Sequence, residues 1–140
     1  MITLIQRVGL ASAVLAILAL APVAVNADDH FLPTEKQCSK IENPDAVTKG
    51  WCAAINRRKG NCLACHVIVT AKWPSALPPG GTIAPPLVAM KQRYPDKSKL
   101  QAQIWNAADE NPQSVMPPFG KHKIVSEKDI DNMVEFLLTL

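Results

Sequence analysis

The sequence predicts an all-α domain of about four helices joined by long loops. Two observations carry this reading. Apolar residues recur at helical spacing in short, separate runs. Between them lie segments rich in proline and glycine, above all residues 70–86, which hold Pro74, Pro78, Pro79, Pro85, Pro86 and Gly80-Gly81 and suit neither a helix nor a central strand. A small domain has a thin core, and loops this long need something to organise them.

The elements follow in chain order. Residues 28–42 are polar and read as an irregular N-terminal arm. Asn43-Pro44 reads as an N-cap followed by an N1 proline, and Val47, Trp51, Ala54 and Ile55 then form one apolar stripe. Gly60 stands where a left-handed residue would close that helix. Pro86 can start a short helix with Leu87 and Met90 on one face, ending near Tyr94-Pro95. Ser98-x-x-Gln101 has the form of a capping box and opens a helix carrying Leu100, Ile104 and Trp105, which Asn111-Pro112 terminates. Met116-Pro117-Pro118-Phe119-Gly120 is a stiff loop. Ser126-x-x-Asp129 opens the last helix, where Ile130, Met133, Val134, Leu137 and Leu138 make an i, i+3, i+4, i+7, i+8 stripe. The first and last helices are expected to cross, with Trp51, Ile55, Leu137 and Leu138 near the contact.

Residues 1–27 read as an export signal. Arg7 supplies positive charge, Val8 to Val25 is apolar apart from Ser12, and Val25-Asn26-Ala27 ends the segment with small residues. The alternative is a retained membrane anchor, because 18 apolar residues are just long enough to span. Cleavage predicts a periplasmic protein. The formal charge of the whole chain is only +3, which gives no basic field for nucleic acid. Arg57-Arg58-Lys59 and Lys97, Lys99, Lys121 and Lys123 read as solvated faces, or as a patch that docks an acidic partner.

The chemistry is concentrated in Cys62-Leu63-Ala64-Cys65-His66. Cys-x-x-Cys-His is the attachment site of a c-type haem. Two thiols at this spacing can bond the two vinyl groups of a porphyrin, and the next residue offers an imidazole to the iron. The competing readings are a redox Cys-x-x-Cys and half of a zinc site. The first wants a βαβ setting that is missing. The second wants another Cys/His pair, and only Cys38 and Cys52 remain. One covalent haem c is therefore expected, with Val67-Ile68-Val69 against or beneath it. Wrapped by the loops, it would supply folding free energy, so most of the chain should be disordered without it.

His66 is the expected proximal ligand. The candidates for the sixth position are Met90, Met116, Met133, His30 and His122. Met90 and Met133 lie in apolar stripes and read as core, His30 lies in the arm, and His122 stands between two lysines. Met116 lies in a loop stiffened by two prolines, and His/Met ligation raises the reduction potential, as an electron carrier requires. Met116 is thus the predicted sixth ligand. Pro85 offers a carbonyl and no competing N–H, and it is predicted to accept from His66 Nδ1–H. Trp73 and Trp105 can pack on the porphyrin or bond a propionate. With both axial positions filled by protein, outer-sphere electron transfer is expected rather than oxygen or peroxide chemistry.

Cys38 and Cys52 are an even pair in a chain read as exported, and an internal disulfide is the natural reading. Free thiols, or a bridge to a partner chain, are the alternatives.

The haem motif, the segment Gly81-x-Ile83-Ala84-Pro85-Pro86-Leu87 and the loop methionine before a C-terminal helix resemble class I cytochrome c. More narrowly, Lys59-Gly60-Asn61-Cys62, Gly80 to Leu87, Gln103-Ile104-Trp105 and Val115 to His122 resemble SoxX, the monohaem cytochrome subunit of sulfur-oxidising SoxXA complexes. The resemblance covers about residues 43–140, read as one cytochrome c-like domain. It implies a heterodimer with a SoxA-like c-type cytochrome, a SoxYZ-like carrier protein whose cysteine receives thiosulfate, and a small acceptor cytochrome. The thiosulfotransferase chemistry would lie on the SoxA-like partner, and only Cys62, Cys65, His66 and Met116 carry over here, as haem-binding residues. Two other readings remain: a free-standing periplasmic electron carrier, and a haem-based sensor in which Met116 is labile.

Overall fold

The computed structural model describes residues 31–140; the expected export signal, the apolar stretch of the membrane-anchor alternative and His30 lie outside them. Five helices order the described chain: α1 (Glu35–Cys38), α2 (Ala46–Ile55), α3 (Met90–Arg93), α4 (Lys97–Asn106) and α5 (Glu127–Leu137). Cys62–Ala64 and Ala107–Asp109 form single 3₁₀ turns. Among the described residues there is no strand, only an isolated parallel bridge between Ile68 and Leu87. None of their helices is long and apolar enough to cross a membrane.

The helix ends show where local chemistry differs from the pattern. Asp45, not Asn43, caps α2: its carboxylate accepts from the Thr48 amide at 2.7 Å, while Asn43 takes a left-handed φ of 50°. Bonds from the Thr48 amide and hydroxyl hold the Asp45 carboxyl below its ordinary value. This cap therefore stabilises the fold above the ordinary carboxylate range and is lost as acid protonates it. Asp96 likewise displaces Ser98 as the cap of α4, accepting from the Ser98 amide and hydroxyl at 2.9 and 2.7 Å. In both places an aspartate next to the expected cap wins because its carboxylate is the stronger acceptor. Ser126 caps α5 as the pattern indicates, accepting from the Asp129 amide at 3.1 Å.

Helix α2 stops at Ile55, and Gly60 does not adopt a left-handed conformation; its amide instead reaches back to the Ala53 carbonyl at 3.1 Å. The left-handed residue is Asn61, with φ 45°, an allowed place for asparagine. Leu87 does not start α3, because its backbone pairs with Val67 and Val69.

The core forms where α2 and α5 cross, the largest helix–helix contact in the molecule. Trp51 is fully buried there, with its ring centroid 5.3 Å from that of Phe136 and 5.8 Å from that of Trp73. Ile55, Ile130, Met133, Val134 and Leu137 are buried around them, with Leu138 at the edge. Leu100 and Ile104 bring α4 to the same core.

Residues 31–42 are more ordered than a polar irregular arm. Leu32 donates to Lys72 O at 2.8 Å, Trp51 Nε1 donates to Pro33 O at 2.6 Å, and α1 forms a short turn. A disulfide joins Cys38 to Cys52, with Cα atoms 5.7 Å apart. Closing a loop of this length contributes about 3 kcal/mol in the chain-entropy model. Cys52→Ser should lower the unfolding free energy by about that amount. In the denatured, non-reduced wild-type chain, alkylation followed by mass measurement should label neither Cys38 nor Cys52.

Candidate functional site

A cavity of about 670 Å³ opens between α2, α4, α5 and the loops. Cys62, Cys65, His66, Pro85 and Met116, the residues singled out in the sequence, all line it. Its walls are mostly apolar, with Ala54, Leu87, Leu100, Ile104, Phe119 and Leu137 among them.

The geometry around His66 comes from backbone pairing. Residues 63–69 and 81–87 run side by side in parallel. Gly81 N donates to Leu63 O, Ala84 N to Cys65 O, and Leu87 N to Val67 O, at 2.9, 3.0 and 2.8 Å; Val69 N returns to Leu87 O at 3.0 Å. This register brings the Pro85 carbonyl to 2.7 Å from His66 Nδ1. A carbonyl only accepts, so Nδ1 carries the proton and Nε2 keeps the free lone pair. The pairing fixes both the tautomer and the direction of the ring.

Burial pushes the Cys62 thiol up to about 12. Redox-active Cys-x-x-Cys motifs lower this value instead, since the thiolate is the reacting form. The zinc reading fares no better, because no three His, Cys, Asp or Glu side chains among the described residues are placed to hold a metal ion. Cys62 and Cys65 are the cysteines left free once the disulfide has formed among the described residues.

The donor set and the cavity fit a haem. The volume lies in the range of about 300–1,000 Å³ typical of cofactor sites, the walls are mostly apolar, and two thiols and an imidazole line the same cavity. Residues 56–140 match the family model described as Cytochrome c. The chain belongs to the cytochrome c family. No curated protein matches it beyond that. As a cytochrome c it carries covalently attached haem c, a one-electron Fe(III)/Fe(II) couple, and its function is haem-based electron transfer.

Several residues fall elsewhere than the sequence reading placed them. Val67, Ile68 and Val69 do not line the cytochrome c cavity: Ile68 is in the core and Val69 is exposed. Val67 O and Val69 N both bond the Leu87 backbone, which fixes how this segment runs. Trp73 and Trp105 do not line it either. Trp73 Nε1 donates to Leu77 O at 2.9 Å, and Trp105 lies on the loop after Met116. Met90 and Met133 do reach the cavity wall, though both are almost wholly buried in the core. His122 is exposed.

Sequence reasoning missed Arg93. Its Nη1 donates to the Pro86 carbonyl at 3.0 Å and lies 3.5 Å from Met90 Sδ, so a cation at the cavity wall braces the segment that holds His66. Its place at the end of α3, 7 residues after Pro86, was the only signal available.

Proposed function

We propose that this cytochrome c is the electron-accepting subunit of a SoxXA-type thiosulfate-oxidising complex in the periplasm, with His66 and Met116 as axial ligands. The observation that carries the reading is the site of the two SoxX-like segments. Gly80 to Leu87 lies bonded along the haem motif, and Met116, Pro117 and Phe119 of the second segment line the same cavity.

On this reading the coupling is done by a SoxA-like partner. A carrier-protein thiol and thiosulfate form a sulfur–sulfur bond, releasing one proton and two electrons. The electrons leave one at a time through this subunit to a small acceptor cytochrome. The chain's own residues orient rather than react. Pro85 holds the imidazole, the apolar walls exclude water, and His66 and Met116, as the residues that would hold the iron, would leave it no position for substrate.

Purification tests the assignment. The protein should co-elute with a second c-type cytochrome, and the pair should consume thiosulfate only when carrier protein and an electron acceptor are both present. Elution alone, with reversible one-electron redox activity, would instead mark a free-standing carrier. The ligand assignment has a separate measurement. The reduced wild-type protein should resist carbon monoxide, whereas Met116→Ala should bind it readily and show a lower reduction potential. Equal carbon monoxide binding by both would remove Met116 from the iron.

A further inference from the structure

The Met116 loop is fastened to α4 at one point. Trp105 lies in the last turn of that helix, where the final carbonyls have no intrahelical partner. Its carbonyl accepts from both Gly120 N and Lys121 N at 3.2 Å. Its indole packs closely against Gly120. A Cβ on Gly120 would stand 2.1 Å from Trp105 Cε3 and 2.4 Å from Cδ2, so only glycine lets the ring and the loop backbone touch. Beyond this point the loop closes on itself, with Ile124 N and Val125 N both donating to Phe119 O at 2.9 and 3.1 Å. Phe119 is buried, while 37% of Trp105 remains open to solvent. Between the contact and Met116 lie only Pro117, Pro118 and Phe119, two of them with fixed φ.

We propose that Trp105 and Gly120 form a clamp that holds the Met116 sulfur at the cavity, making Trp105 a positioning residue for the sixth ligand although it does not line the cavity. This rests on the reading of Met116 as that ligand. The physical basis is short leverage. Two prolines transmit any displacement of Gly120 to Met116 instead of absorbing it. The half-exposed indole contributes little to the core, so its contact with Gly120 acts mainly on the loop.

The test uses ferric holoprotein and imidazole as the competing ligand, with thermal midpoints measured alongside. Trp105→Ala and Gly120→Ala should each raise imidazole affinity about tenfold, the size of shift a typical single substitution makes in a local equilibrium. Trp105→Phe, which keeps an aromatic face on Gly120, should restore most of the resistance. The double variant should be no worse than the more affected single variant, because a Cβ on Gly120 has no ring to strike once the indole is gone. Additive effects would overturn the clamp, and so would a lowered thermal midpoint with unchanged imidazole affinity. Should Trp105→Ala fail to fold, Gly120→Ala carries the same comparison. Met116→Ala separates the two claims. If it leaves imidazole affinity unchanged, the ligand assignment fails and the clamp with it. If it raises affinity while the Trp105 and Gly120 variants do not, the clamp alone fails.

Discussion

The Cys62→Ser, Cys65→Ser double variant, produced without covalent haem, is expected to lose most of its helical circular dichroism and to unfold without a cooperative transition. The reason is the size and position of the cavity. A haem-free chain would have to leave the apolar walls of this 670 Å³ space to water, losing burial that a domain with a net stability of only about 5–15 kcal/mol cannot spare. Leu100, Ile104 and Leu137, which are buried, all face this space. Collapse to fill it would break the α2–α5 packing that makes up the rest of the core. A double variant with native-like helicity and a sharp thermal transition would show that the protein frame, not the cofactor, carries the fold.

Gly50→Ala is expected to be the most damaging single methyl in the chain. Helix α2 passes α5 so closely at Gly50 that a Cβ there would lie 1.9 Å from Asn132 O and 2.9 Å from Met133 N. These are backbone atoms inside a helix, so no side-chain rotation relieves the overlap, and the two helices must move apart. Overpacking a core costs about 1–3 kcal/mol when side chains can adjust; here about 3 kcal/mol or more is expected. For a domain of this size that lowers the thermal midpoint by roughly 10–20 °C. Because Trp51 and Phe136 flank the crossing, near-ultraviolet circular dichroism should weaken with it. A midpoint within a few degrees of wild type would mean that the crossing is looser than its geometry indicates.

What the sequence made legible follows from how local each signal is. The stripe of α5 and its Ser126 cap are local, and both are found where the pattern put them. The cofactor was legible in five consecutive residues, and the family in those together with the Gly81 to Leu87 segment and the loop methionine. The His66–Pro85 contact was legible because proline's missing N–H narrows what its carbonyl can do. Other features depended on competition between neighbours or on tertiary contact. Asp45 and Asp96 took the caps from Asn43 and Ser98, because the cap goes to whichever acceptor the incoming chain brings over the first amides. The parallel pairing of 63–69 with 81–87 has no sequence period, since Pro85 and Pro86 interrupt any strand pattern, and so the side of Ile68 could not be read. The role of Gly50 is invisible in sequence. It looks like a weak point in a helix, and only the partner's backbone explains it.

The four described cysteines end in two different chemical fates, and the fold sorts them. Cys38 and Cys52 together give up two electrons and two protons to an external oxidant, while Cys62 and Cys65 must remain thiols until they add to a porphyrin. Cys52 lies on α2 bonded to Cys38 of α1, whereas Cys62 follows the left-handed turn at Asn61 and lines the haem cavity. A bond formed between the wrong pair would consume an attachment thiol, so the pairing of Cys38 with Cys52 is what leaves both Cys62 and Cys65 available to the porphyrin.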